Sequence, residues 1–198
     1  LQNKQSPSKI VGFKPSKNFN KSPHRTPMLS LANAFSEEDL INFEKKIFNF
    51  LSIKKNFQIS YSAEPKIDGI SASLTYKGGK FIKGLSRGDG KEGEDITKNL
   101  ATIKDIPKII LQKDFPDEID IRGEVFIQNS DFENLKEKFS NPRNAASGSL
   151  RQKNSEDTSK IPLKFIAYTF GFEKGLNINN QFEYIRKLSE WGFKTNQL

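Results

Sequence analysis

Three charged side chains stand at alternate positions in AEPKIDGIS, residues 63–71: Glu64, Lys66 and Asp68, with Gly69 after them. In a strand, alternate residues share a face, so this spacing sends the two acids and the amine the same way. A lysine amine attacks an electrophile only when neutral. Holding it so near pH 7 costs roughly 4–5 kcal/mol, given a reference pKa of about 10.4. A desolvated pocket or a divalent cation can supply that shift, whereas two flanking carboxylates oppose it unless a ligand engages them. Residue types alone leave two readings open: a nucleophilic lysine, or a strand-end lysine paired with acids.

Other stretches carry charge in settings that suit phosphate or sugar. GLSRGDGKEGED (84–95) interleaves four glycines with Arg87, Asp89, Glu92, Glu94 and Asp95. Glycines let backbone approach a ligand, and an arginine among them can fork onto phosphate oxygens. The plainer alternative is a long polar turn. Arg122 and Glu124 share the polar face of EIDIRGEVFI (118–127), either as an ion pair or as a sugar-binding pair. NPRNAASGSLRQ (141–152) sets Arg143 and Arg151 among small residues, which suits phosphate contacts or an ordinary helix start.

The elements that must position these groups follow from periodicity. Residues 1–27 hold four prolines between residues 7 and 27 and no period, and are expected to form an irregular leading segment on a surface. SEEDLINFEKKIFNFL predicts a helix capped by Ser36, with Glu37, Glu38 and Asp39 at its positive end and Leu40, Phe43, Ile47 and Leu51 as an apolar stripe. From residue 63 the period changes to two. Ile70–Tyr76, the turn at KGG (77–79) and KFIKGL make a hairpin. EIDIRGEVFI is a strand, SDFENLKEKF a helix capped by Ser130, PLKFIAYTFG a strand, and NQFEYIRKLSEWGF a helix with Gly192 near its end. Without regular strand–helix alternation, the class is α+β with largely antiparallel sheet flanked by helices.

Composition narrows the chemistry. The 198 residues contain no cysteine and one histidine, His24. Disulfides, thiolate nucleophiles and cysteine or histidine metal clusters are thus excluded, and a reducing cytosol fits. No apolar run of about 18 residues suggests a membrane span. The net charge of +8 favours a polyanionic partner such as nucleic acid, although lysine-, asparagine-, isoleucine- and phenylalanine-rich composition also follows from an AT-rich genome.

The segments SPSKIVG, HRTPMLSLANAFSEEDL, EPKIDG, SRGDGKEGEDIT, IRGEVFI, NPRNAASGSLRQ and FIAYTFG, in this order, resemble the adenylation domain of bacterial NAD-dependent DNA ligases, from about Ser6 to Gly192. Lys-x-Asp-Gly alone marks a wider superfamily; PMLSL, RGDGxxGED and NPRNAAxGSLRQ are more specific to the NAD-dependent branch. The resemblance implies a nucleotidyltransferase (ATP-grasp-like) ligase adenylation fold. It implies that Lys66 attacks the α-phosphorus of NAD and that AMP then passes to the 5′-phosphate of nicked double-stranded DNA. Asp68 matches the acid beside the nucleophile, and Glu64 the residue that recognises adenine. Ser30 and Leu31 match a loop lining the adenosine pocket, Arg87 and Glu124 ribose and phosphate contacts, and Tyr168 lies where a ring stacks on adenine. Arg143 and Arg151 match residues facing DNA. NAD and Mg2+ are the implied cofactors, the metal held by phosphates and water with no protein ligand named. A monomer in the bacterial cytoplasm, away from membranes, is the implied setting.

Relative to the resembled family, the expectation is a truncated domain. Residues 1–27 would follow a missing nicotinamide-binding module, and residues 28–198 would form an adenylation domain lacking two downstream lysine motifs. Such a chain is expected not to seal nicks alone. The competing readings are an ATP-dependent ligase or capping transferase of the same superfamily, a non-catalytic basic module that binds nucleic acid, and a fragment without independent function.

Overall fold

The computed structural model describes residues 19–53 and 57–196. Residues 1–18 of the leading segment, with SPSKIVG, lie outside the described residues. The framework is a four-stranded antiparallel sheet of β2 (Ile70–Lys77), β3 (Lys80–Ser86), β5 (Glu118–Phe126) and β6 (Lys164–Lys174), in the order β3-β2-β5-β6. A second pair joins β1 (Lys21–Pro23) to β4 (Glu92–Glu94). The helices are α1 (Glu37–Leu51), α2 (Thr97–Leu100), α3 (Asn129–Phe132), α4 (Pro142–Leu150), α5 (Ser155–Ser159) and α6 (Gln181–Glu190). The expected α+β class with antiparallel sheet is what forms. Among the described residues no helix is long and apolar enough to cross a membrane.

Strand alternation decides which face of the sheet is packed. Ala72, Leu74 and Tyr76 of β2, Ile119, Ile121 and Val125 of β5, and Phe165 and Ala167 of β6 are fully buried. Against them pack Leu100 of α2, Ala145, Ala146 and Leu150 of α4, and Tyr184, Leu188 and Trp191 around α6. Each fully buried aliphatic side chain contributes about 1.5–3 kcal/mol, so this single-sided core holds the sheet rigid. The opposite face collects the polar partners: cross-strand register pairs Ser71 with Glu124, Ser73 with Arg122 and Thr75 with Asp120.

The leading segment is tied to that polar face. Arg25 donates from Nε to Asp120 Oδ2 (3.0 Å) and from Nη1 to Glu118 Oε2 (2.8 Å), and lies 4.0 Å above the Phe172 ring centre. Asp120 also accepts from Thr75 Oγ1 at 2.7 Å.

Three local expectations are corrected. The KIDG segment is not part of a strand: residues 57–68 form no regular element, and β2 begins at Ile70. Ser130 does not cap a helix. The turn starts one residue earlier, after Gln128, and tightens into a 3-10 turn at Glu133–Leu135. Helix α1 forms with the Ser36–Asp39 capping box, yet none of its residues is buried; Leu40, Phe43 and Leu51 stay more than half exposed. Amphipathic spacing sets which face of a helix is apolar, not whether another element covers it.

Candidate active site

Gly69 sets the geometry. It is buried against β5, where a β-carbon would lie 2.2 Å from the Val125 carbonyl oxygen and 3.0 Å from Glu124 Cγ. Only a residue without that carbon allows the chain carrying Lys66 and Asp68 to press onto β5 at Glu124. Lys66 is exposed, and Asn196 Nδ2 holds the neighbouring Pro65 carbonyl at 3.2 Å.

Glu124 is the buried acid of this group. Ser71 Oγ donates to its Oε2 at 2.8 Å. Burial pushes its carboxyl above the usual carboxylate range; the Ser71 bond and the charges of Arg143 and Lys66 pull it back, while Asp68 pushes it up. Lys66, Asp68, Arg143 and Glu124 therefore share one electrostatic environment. Arg143, near the start of α4, donates from Nη1 to Asp68 Oδ1 at 2.9 Å. The Asn141 side chain caps that helix by accepting from Asn144 N at 2.7 Å.

Tyr168 sits at an irregularity of β6, where pairing with β5 shifts between Arg122 and Gly123. The extra residue re-aims its side chain toward the polar face. Burial raises its phenol pKa, with Ser71, Glu124, Arg122 and Arg87 also acting on it. Glu64 joins the same corner from the other side. Its Oε1 accepts from Ser62 Oγ at 3.1 Å and from Gln181 Nε2 at 3.0 Å, and Gln181 Nε2 also donates to the Tyr168 carbonyl at 2.7 Å.

The glycine loop forms the next wall. Gly88 takes φ +56°, and a β-carbon there would lie 1.9 Å from Glu92 O, so the tight turn after Arg87 requires glycine. Asp89 is a turn-builder: its Oδ1 accepts from the Lys91 and Glu92 amides, both at 2.9 Å, and these bonds lower its pKa. His24 Nε2 lies 3.1 Å from Arg87 O, and Met28 N donates to Gly90 O at 2.8 Å. Arg87 Nη1 reaches Ser30 Oγ at 3.3 Å. Buried Met28 thus anchors the PMLSL segment, while Leu31 stands 77% exposed, its side chain free to meet a ligand.

Arg122 does not pair with Glu124. Its Nη1 donates to Pro27 O at 3.1 Å and its Nη2 to Thr26 O, so it fastens the start of PMLSL to β5. Desolvation lowers its pKa. Arg151 also differs from Arg143: its Nε donates to the buried Glu94 Oε2 at 2.8 Å, bracing α4 against β4.

The structure thus brings Lys66, Asp68, Arg143 and Tyr168 near the buried Glu124, with Arg87 near enough to act on Tyr168. Glu64 is attached through Gln181, and Ser30 through Arg87. Residue reasoning passed over Ser71, Gln181 and the anchoring role of Arg122. Ser71 lies opposite the apolar alternation of β2, a signal that could have flagged it; Gln181, 117 positions from Glu64, had none. A cluster of acids and arginines of this kind can bind phosphates and a sugar, and it presents an amine.

A sequence profile described as the NAD-dependent DNA ligase adenylation domain matches residues 16–198. A DNA ligase of Pelagibacter ubique (strain HTCC1062) is 69% identical over 196 residues, covering 99% of this chain. DNA ligases of Parvibaculum lavamentivorans and Xanthobacter autotrophicus are 45% and 44% identical over 206 residues, covering 100% of it. The chain spans 29% of the length of each of these three relatives.

Proposed function

Because the chain belongs to the NAD-dependent DNA ligase adenylation domain family, we propose that Lys66 is the nucleophile that takes AMP from NAD and passes it to nicked DNA. The observation that carries this reading is the close packing of Gly69 on Val125 and Glu124, which brings the segment bearing Lys66 and Asp68 against the buried Glu124. The neutral Nζ attacks the α-phosphorus, the phosphoanhydride bond breaks, and nicotinamide mononucleotide leaves with the electron pair. A 5′-phosphate oxygen of the nick then displaces lysine from the same phosphorus. The 3′-hydroxyl attacks the activated 5′-phosphate and releases AMP.

This chain's part in such transfers is positioning and charge neutralisation. Glu64 receives the adenine edge, and Tyr168 offers a ring to the base. Glu124 and Arg87 receive ribose and phosphate, with Ser30 and Leu31 completing the adenosine wall. Asp68 orients the amine, and Arg143 and Arg151 face the DNA. Among the described residues no group of three or more His, Cys, Asp or Glu side chains could hold a metal ion. In this reading magnesium is held mainly by phosphates and water, and no step is routed through it. The reading has a monomer acting in the bacterial cytoplasm. The family match to the NAD-dependent branch does not favour the ATP-dependent alternative.

The test is Lys66→Ala in the full-length protein. The variant is expected to lose joining of a nick and to keep sealing of a nick already carrying 5′-AMP. Equal loss on both substrates would remove the nucleophile role.

A further inference from the structure

We propose that Gln181 is a positioning residue for base recognition, fixing the carboxylate of Glu64 so that its second oxygen accepts from the exocyclic amine of adenine. The inference rests on the reading that Glu64 receives the base.

Glu64 lies on an exposed segment without regular structure, so its side chain alone has many rotamers of similar energy. Both hydrogen bonds it receives fall on one oxygen, Oε1, from Ser62 and Gln181. Among the described residues no donor reaches Oε2. Ser62 belongs to the same segment and moves with it. Gln181 does not: it opens α6, which the buried Tyr184 and Leu188 hold to the core. Capping of α6 falls to Asn180, whose Oδ1 accepts from Glu183 N at 2.9 Å, so the Gln181 amide serves no cap. Its Nε2 hydrogens reach Glu64 Oε1 at 3.0 Å and Tyr168 O at 2.7 Å. One amide therefore sets both the acceptor for the base edge and the strand residue whose ring faces the base.

An acceptor locked in this way discriminates at carbon 6 of the purine. Adenine presents an N–H donor there; hypoxanthine presents a carbonyl, which a fixed carboxylate repels. A carboxylate freed from Gln181 can swing to the N1–H of hypoxanthine instead.

The test compares NAD with nicotinamide hypoxanthine dinucleotide in nick joining by the full-length protein. Losing one hydrogen bond to a charged group, Gln181→Ala is expected to raise KM for NAD about tenfold, to leave kcat within about twofold, and to shrink the preference for NAD by a similar factor. Gln181→Glu keeps the side-chain length and sets carboxylate against carboxylate, so its defect should exceed that of Gln181→Ala. Glu64→Gln is the control. If Glu64→Gln changes base preference and both Gln181 variants leave it untouched, the positioning role is overturned while base recognition by Glu64 stands. If Glu64→Gln leaves base preference unchanged, the reading beneath the inference falls with it. A fall in kcat and melting temperature without change in base preference marks Gln181 as merely structural and overturns the proposal.

Discussion

Arg143 Nη1 donates to Asp68 Oδ1 at 2.9 Å, joining α4 to the segment that carries Lys66 across 75 positions of sequence. Both side chains are at least half exposed. A pair so open to water contributes only about 0–1 kcal/mol to stability. The cation is better understood as held beside the amine, able to exchange Asp68 for a phosphate.

Arg143→Ala in the full-length protein should therefore leave the melting temperature nearly unchanged. It should weaken binding to nicked DNA and lower the slope of log affinity against log salt by about one, the signature of one lost phosphate contact. Titrations at several salt concentrations check both. An unchanged slope would assign the arginine to Asp68 alone.

Arg151 should behave differently, although it shares a motif with Arg143. Its partner Glu94 is buried on β4, the strand that pairs with the leading segment. Removing the guanidinium takes away a charge-assisted bond to this buried carboxylate. Arg151→Ala is expected to destabilise the fold by about 1–3 kcal/mol, read from urea unfolding. Any loss of DNA binding must then be measured at temperatures where the variant is folded.

The contrast between the two arginines shows what periodicity could and could not reveal. The Ser36 cap, the glycine hairpin, both faces of β5 and the Asn180-started helix were all legible, because each is set by neighbours within a few residues. The candidate-site residues named from the resemblance could be picked out as residue types. Their partners were not: alternation tells which face Arg122 or Glu124 occupies, but not that Arg122 holds Thr26 and Pro27 while Ser71 holds Glu124. The bulge that re-aims Tyr168 and the bridge from Gln181 to Glu64 depend on contacts between distant elements. The exposed stripe of α1 makes the same point from the other direction.

Gly69 offers a direct probe of how the amine is delivered. Adding a methyl group 2.2 Å from Val125 O forces the start of β2 away from β5. Overpacking of this kind costs about 1–3 kcal/mol, so Gly69→Ala should lower stability by that amount. Because Lys66 and Asp68 precede it directly, formation of the lysine–AMP adduct should fall further than the unfolded fraction accounts for. Mass spectrometry of the folded variant after exposure to NAD measures this. Full adduct formation would show that the close approach is not needed for chemistry.

Glu124 links site chemistry to stability through pH. Its carboxyl is raised above the ordinary glutamate value, chiefly by burial. Between that ordinary value and the raised one, the folded state binds more protons than the unfolded state, so stability falls as pH rises through this window. Above it the ionised group costs the fold a constant amount; below the ordinary value the cost is absent. Glu124→Gln keeps the shape and an oxygen that can accept from Ser71, and it carries no charge. The variant is thus expected to be at least as stable as the parent at pH 7 to 8, with that advantage shrinking as the pH falls through the window. Its adenylation by NAD should nevertheless drop strongly, since a neutral amide is a poorer acceptor for a ribose hydroxyl. Paired melting curves from pH 4 to 8, with adduct formation at pH 7.5, test both halves. A variant less stable at every pH would mean that the ionised carboxylate serves the fold rather than the reaction.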